Sequence, residues 1–473
     1  MHKHTQISSE IKGFFSNNSN HKAVDALFRV IESLKVTAKA IGVEKASNCQ
    51  FTTVQILHLL LVMPLFGVKR IGTFEDSSLS KLFTCKKDVF YRFLDNGMVN
   101  WRKIAGIVNR DIVGRLKCRA DSRKSGMPVC LSIDDTDLPK RGERFELIGR
   151  VYSHVTHTSI VGFKGLFLCR TDGKTQTILD FSLHKEEGKN SDKPQGFTKK
   201  QLDRRLSRDY EDDSPVKERI DDYGKSKIKK AMEMVRAAIK DGFKFDYLLA
   251  DSWFTCTEIL EFIQRRHVKC HYLGMAKKGN LKYNVGDESL SANEILRRNK
   301  KNVRRCRRLK AYYLSIDAFV GRVKVRLFFK KRDGAEWRVL ITTDTALEFP
   351  RAYEIYAMRW SIEVFFSDSK KYLMLGKSQT LSFASQIASV AIATIQYNIL
   401  SYVKRFESYE TIGGLFKDCN DQTIELSAVE SIWKIILNVI VTVSELMAVD
   451  EDKLIRLAIQ KNQDLANLAY LCA

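Results

Sequence analysis

No Cys-x-x-Cys pair occurs anywhere in the chain, although ten cysteines are scattered through its 473 residues. Most lie in apolar or basic surroundings and are read as reduced thiols, which sets aside zinc-ribbon and disulfide-framework classes. No apolar run reaches membrane-spanning length. The longest, residues 56–66, is interrupted by His58 and Pro64. The N-terminus lacks the charge, apolar stretch and small-residue cleavage site of a signal peptide. These absences predict a cytoplasmic protein with no membrane partner. Acids are also in deficit, 56 against 79 Lys and Arg, for a net charge of +23. An excess of that size points to a polyanion. With 44% hydrophobic residues the chain is ordinary for a globular protein, and its length allows roughly two to four domains.

The acids that are present fall in telling places. The apolar run Pro128–Ile133 reads as a buried strand leading into Asp134-Asp135-Thr136-Asp137. Phe245–Ala250 reads as a second buried strand leading into Asp251. Acids at the C-terminal ends of buried strands are where α/β folds place chemistry. Because side chains alternate faces along a strand, only one of Asp134 and Asp135 should enter a shared site; the sequence leaves both open. Farther on, residues 350–372 read as one helix bearing Tyr356, Arg359, Glu363 and Lys370, with two, three and six residues between them. At roughly 100° per residue these four share one stripe. A carboxylate flanked by two cations and a phenol suits a phosphate-and-metal site.

Taken together, the spacing resembles the tyrosine–arginine–glutamate–lysine signature of DDE transposases of the insertion-sequence-4 family, over roughly residues 78–375. The resemblance implies an RNase H-like fold and cut-and-paste DNA transposition by phosphodiester hydrolysis and strand transfer. It also implies the order Asp, Asp, Glu in the site, here Asp134 (or Asp135), Asp251 and Glu363. Asp134-Asp135-Thr136 fits the family's Asp-x-Thr/Ser, which favours Asp134 as ligand. Two divalent ions about 3.5–4 Å apart would activate the attacking and leaving oxygens; Mg2+, or Mn2+, suits three carboxylates. Arg359, Lys370 and Tyr356 would address phosphate. The implied partners are double-stranded DNA, as element ends and target, and a second copy in a synaptic homodimer. The implied location is the bacterial nucleoid. In well-studied relatives a tryptophan of the insertion stacks on a flipped base, and Trp337 stands in about that place. A nuclease on the same fold, or a non-catalytic DNA-binding derivative, is the alternative.

The expected architecture is α/β: a mixed-sheet RNase H-like core with a β-rich insertion, a helical N-terminal domain and a helical C-terminal tail. We expect a DNA-binding domain over 1–125, the catalytic domain over 126–276 and 337–380, the insertion over 277–336 and the tail over 381–473. Within the first, residues 78–94 resemble a helix-turn-helix offering Lys86, Lys87 and Arg92 to DNA. Thr171-Asp-Gly-Lys174 predicts a hairpin. The charge-rich stretch 185–216 reads as a mobile loop. The insertion's basic run, with Arg304, Arg305, Arg307 and Arg308, reads as a phosphate-tracking arm. His154 and His157 read as surface or core residues, Trp253 as a core residue and Asp344 as a turn residue.

Overall fold

The computed structural model describes residues 22–45, 49–77, 79–80, 85–118, 126–188, 190, 192–277, 279, 281–421, 439, 443 and 451–462. They fall into two compact units, one drawn from 1–34, 55–91 and 399–473, the other from 35–54 and 92–398.

The first unit is helical. Helix α1 (Lys22–Ser33) belongs to it, α2 (Ala38–Ile41) does not, and α3 (Thr53–Val62) runs into it. Pro64 converts the end of α3 into a 3-10 turn, Met63–Phe66, closed by Gly67 at φ 71°. Helix α4 (Lys87–Leu94) begins in this unit, where Phe90 meets Phe74 edge to face at 4.9 Å. The first half of the expected helix-turn-helix, Ser78 and residues 81–84, lies mainly outside the described residues. So does most of the tail helix expected over 427–447.

The second unit is built on a twelve-stranded sheet in the order β2-β3-β1-β5-β6-β12-β11-β10-β7-β8, with β4 on β3 and β9 on β10. Its centre is set by β1 (Cys130–Pro139), β2 (Gly149–Ser153), β3 (Thr158–Thr171) and β4 (Gln176–His184), followed by β5 (Tyr247–Ala250) and β6 (His271–Ala276). Strands β1, β5 and β6 run parallel; β3 pairs antiparallel with β1 and with β4. An antiparallel half meeting a parallel half at β1 is the expected RNase H-like core. The hairpin at 171–174 forms as its Asp-Gly predicts. Strand β2 was not legible: its turn to β3 holds His154 and His157, with His157 at φ 53°.

Alternation along the central strands feeds two cores. Leu131, Ile133, Leu248 and Ala250 face α8 (Lys227–Lys240) and α9 (Thr257–Ile263). Cys130, Tyr247, Leu249 and Leu273 face α11 (Phe349–Ala357). The stretch 185–216 is packed, not loose. It contains the capped helix α6 (Lys199–Leu202) and leads into α7 (Pro215–Gly224). Phe197 is fully buried, Arg205 donates to the Ile148 carbonyl at 2.8 Å, and the Tyr210 hydroxyl donates to Glu146 at 2.7 Å. Specific polar contacts thus fix a segment whose composition alone suggests disorder. A buried ionic cluster joins Arg102 on α5 (Trp101–Cys118) and Lys230 on α8 to Asp222, and Arg219 to Asp180.

The insertion continues the same sheet. Strands β7 (Lys282–Val285) and β8 (Glu288–Ser291), helix α10 (Ala292–Arg298) and strands β9 (Arg304–Cys306), β10 (Ala311–Val320) and β11 (Val323–Lys331) precede β12 (Arg338–Thr342). Strand β11 pairs with β12, and β12 with β6. Helix α12 (Trp360–Tyr372) follows α11, and the chain then enters α13 (Phe383–Phe406) and later α14 (Glu451–Lys461). Helix α13 is long and apolar enough to cross a membrane, but 94% of its apolar window is buried inside the structure, as a core helix requires.

Candidate active site

The site begins with strand register. The parallel pairing of β1 and β5 ends at Ile133 opposite Ala250. Asp134 and Asp251 are the next residues on the two chains, so backbone hydrogen bonding sets them side by side. Strand β1 continues to Pro139 along β3 alone, so the acidic run overhangs the end of β5. Asp251 turns its Oδ1 back to accept from the backbone N–H of Trp253 (2.9 Å) and Phe254 (3.3 Å). That is an Asx turn, and it fixes the carboxylate's direction.

Alternation then sorts the acids. Asp134 and Thr136 face α12: the Arg359 guanidinium donates to Asp134 Oδ2 at 2.6 Å, and Lys370 Nζ donates to Thr136 Oγ1 at 2.6 Å. Asp135 faces the other way and pairs with Lys227 Nζ at 2.5 Å. Asp137 pairs with Lys164 across β3. Of the two residues left open by sequence, Asp134 is the one grouped with Asp251 and the α12 residues.

The expected single helix over 350–372 is interrupted. Met358 and Arg359 join α11 to α12 through i→i+3 hydrogen bonds, Ser361 N–H to Met358 and Ile362 N–H to Arg359. Tyr356 and Glu363 therefore belong to different helices, and the uniform 100° projection does not carry across the joint. The four residues converge all the same. Arg359 spans Asp134 and Glu363 with separate nitrogens, and its Cζ lies 5.9 Å from the Tyr356 ring centre. Its Nε is buried without a partner.

Electrostatics follow from this crowding. Burial pushes Asp134 up to about 7, with Asp251 adding to the rise and Arg359 opposing it. Burial likewise pushes the Tyr356 phenol up to about 12 against the pull of Arg359. Burial works against the Arg359 cation, but Tyr356, Asp134 and Glu363 outweigh it and hold its pKa above the ordinary value. Lys370 is lowered by burial, with Asp137 opposing.

Among the described residues no three of His, Cys, Asp and Glu stand close enough together to hold a metal ion. The donor chemistry nevertheless fits a hard divalent cation, since carboxylate oxygens are its preferred ligands. Asp134 and Glu363 already share one cation, the Arg359 guanidinium.

The other expected DNA contacts are dispersed. Arg304, Arg305, Arg307 and Arg308 are exposed on and beside β9; Arg305 lies over Tyr312, and Arg308 pairs with Glu354. Lys86 and Arg92 are exposed, and Lys87 pairs with Glu75 at 3.4 Å. Trp337 is half-buried and packs against the core beneath the sheet. Asp344 accepts from the Tyr247 hydroxyl at 2.7 Å and from the Ala346 N–H, as a turn residue does. Two residues escaped the sequence reading. Trp253, expected in the core, is 40% exposed. Lys227 has no local signal, because its partner Asp135 is ninety-two residues earlier.

The family described as DDE superfamily endonuclease matches residues 79–278, and the transposase DDE domain matches residues 209–399. The chain carries a DDE transposase domain. The first match contains Asp134 and Asp251, and the second contains Asp251 and Glu363. The transposase is a metal-dependent DNA-cutting enzyme, and endonuclease domains of this type generally use divalent metals. No curated protein matches the sequence. A cryo-EM structure of the piggyBac transposase synaptic complex with hairpin DNA is similar at 13% identity and a TM-score of 0.43, over 87% of this chain and 82% of that one.

Proposed function

We propose that the transposase moves an insertion sequence of the insertion-sequence-4 type by cut and paste, with Asp134, Asp251 and Glu363 as its catalytic carboxylates. The observation that carries this reading is the pairing of two strand-end acids by β1–β5 register, with Glu363 brought to the same point through Arg359. These three side chains would hold Mg2+ or Mn2+. When bound, divalent ions polarise the attacking oxygen and stabilise the leaving one. Water oxygen bonds to phosphorus as the P–O3′ bond breaks, freeing a 3′-hydroxyl; in strand transfer that hydroxyl replaces water. Tyr356, Arg359 and Lys370 address phosphate beside the carboxylates. Lys86, Lys87 and Arg92 contact DNA from the helical N-terminal domain, over 1–125. Arg304, Arg305, Arg307 and Arg308 track phosphates from the insertion, over 277–336, which interrupts the catalytic domain at 126–276 and 337–380. The region 381–473 would support a homodimer on paired ends in the nucleoid.

Asp251→Asn and Glu363→Gln each abolish metal-dependent cleavage of element-end DNA and leave end binding nearly intact, because losing a negative charge does not weaken attraction to a polyanion. Asp134→Asn is equally inactive, whereas Asp135→Asn still cuts. A near-normal cutting rate in Asp251→Asn or Glu363→Gln refutes the assignment.

A further inference from the structure

Beside Asp251 lies an aromatic surface that the cleavage chemistry does not use. Trp253 is 40% exposed, yet its ring is held from several directions. Its backbone N–H is bound by Asp251, its ring meets Phe254 edge to face at 4.8 Å, and Lys227 Nζ stands 4.0 Å from its ring centre. Lys227 is itself held by Asp135, and both are mostly buried, at 14% and 20% side-chain exposure. An ammonium against an indole face is attracted by the ring's electron density. Here the strand that supplies Asp134 to the site uses its opposite face to hold that ammonium in place. The result is a rigid indole with one face backed by a cation and part of its surface open, two residues from a carboxylate that addresses DNA phosphate. An aromatic ring left exposed and fixed has little ordering cost left when it binds.

We propose that Trp253, positioned by Lys227 and Asp135, is a nucleobase platform. It stacks on an unpaired or unstacked base of the strand whose phosphate lies at Asp251. Every base has a π-face, so stacking on an indole is sequence-tolerant and adds affinity only where the base is free of its own stack. Lys227 contributes positive charge near the adjoining phosphates. The proposal rests on the carboxylate assignment above, and it explains why the outward Asp135 has a buried partner.

The test uses the full-length protein, metal-free, with element-end duplexes carrying 2-aminopurine beside the cleavage position, either fully paired or opposite a gap. Stacking on indole quenches 2-aminopurine. Wild type is expected to quench the gapped substrate and to bind it more tightly than the paired one. Trp253→Ala loses the quenching and roughly tenfold of the affinity for gapped DNA, while its affinity for paired DNA stays unchanged. Trp253→Phe restores most of both, and Lys227→Gln gives an intermediate loss. Thermal melting checks that each variant is folded. Unchanged quenching and affinity in a folded Trp253→Ala overturn the proposal. So does quenching that depends instead on Trp360, which is 61% exposed on α12. Failure of the carboxylate assignment is separately visible, as cutting by Asp251→Asn.

Discussion

At the scale of residues, the site is arranged by the two-residue period of a strand. Asp134 and Asp135 are neighbours with opposite surroundings: one meets Arg359, the other Lys227. The sequence makes both acids visible, and the rule of alternation says that they must part. It does not say which way, because the face of β1 that meets α12 is decided by packing far along the chain. Arg359 occupies the position of a counter-ion between Asp134 and Glu363, at 15% side-chain exposure. Removing one partner of a well-buried ion pair costs about 3–5 kcal/mol, and partial solvent access here reduces that to about 2–3 kcal/mol. Arg359→Ala is therefore expected to melt below wild type without divalent ions, and added Mg2+ should raise its melting temperature more than it raises that of wild type. Equal Mg2+ shifts in the two proteins would show that the guanidinium does not stand where a cation binds. Cleavage by this variant should fall further than its stability explains.

Among the elements, the buried strands and the Asp-Gly hairpin were legible, because apolar runs and turn chemistry are local signals. The joint at Met358–Arg359 was not, since both residues keep near-helical backbone angles and only the hydrogen-bond pattern shifts. Nor was the packing of residues 185–216, whose partners Ile148 and Glu146 lie on another part of the chain. Strand β3 carries a glycine at the point where β1 and β2 both pair with it: Gly162 lies opposite Pro139 and Gly149. A Cβ there would stand 2.5 Å from the Leu138 carbonyl oxygen and 3.0 Å from Pro139 Cα. Those are backbone atoms of the strand that presents Asp134, and they cannot rotate aside. Gly162→Ala is expected to cost about 1–3 kcal/mol through overpacking, read as a lower urea midpoint. Its loss of cleavage should exceed that of a surface substitution such as Lys324→Ala. An unchanged midpoint would mean that the two strands part freely at this crossing.

Across the whole molecule, the charge of +23 was the plainest sequence signal. Its distribution required the structure, which exposes Arg304, Arg305, Arg307 and Arg308 together at the sheet's far side. Replacing all four by Ala should weaken binding to every DNA sequence alike. The plot of log affinity against log salt should become shallower by about 0.9 for each phosphate that is no longer neutralised. An unaltered slope would assign the cluster to solvent or to protein partners, as Arg308 has in Glu354.

That cluster is also mechanically tied to the cut. Arg304 and Arg305 pair with Tyr313 and Tyr312 on β10, β10 with β11, β11 with β12, and β12 with β6 in the catalytic sheet. The insertion is thus an outrigger bolted to the hull, with no hinge of its own along this path. A DNA phosphate gripped at the outrigger sits at a fixed span from the carboxylates, so the sheet works as a ruler. The number of base pairs between the outer grip and the nick is set by the count of strands between them, and loop lengths do not enter it.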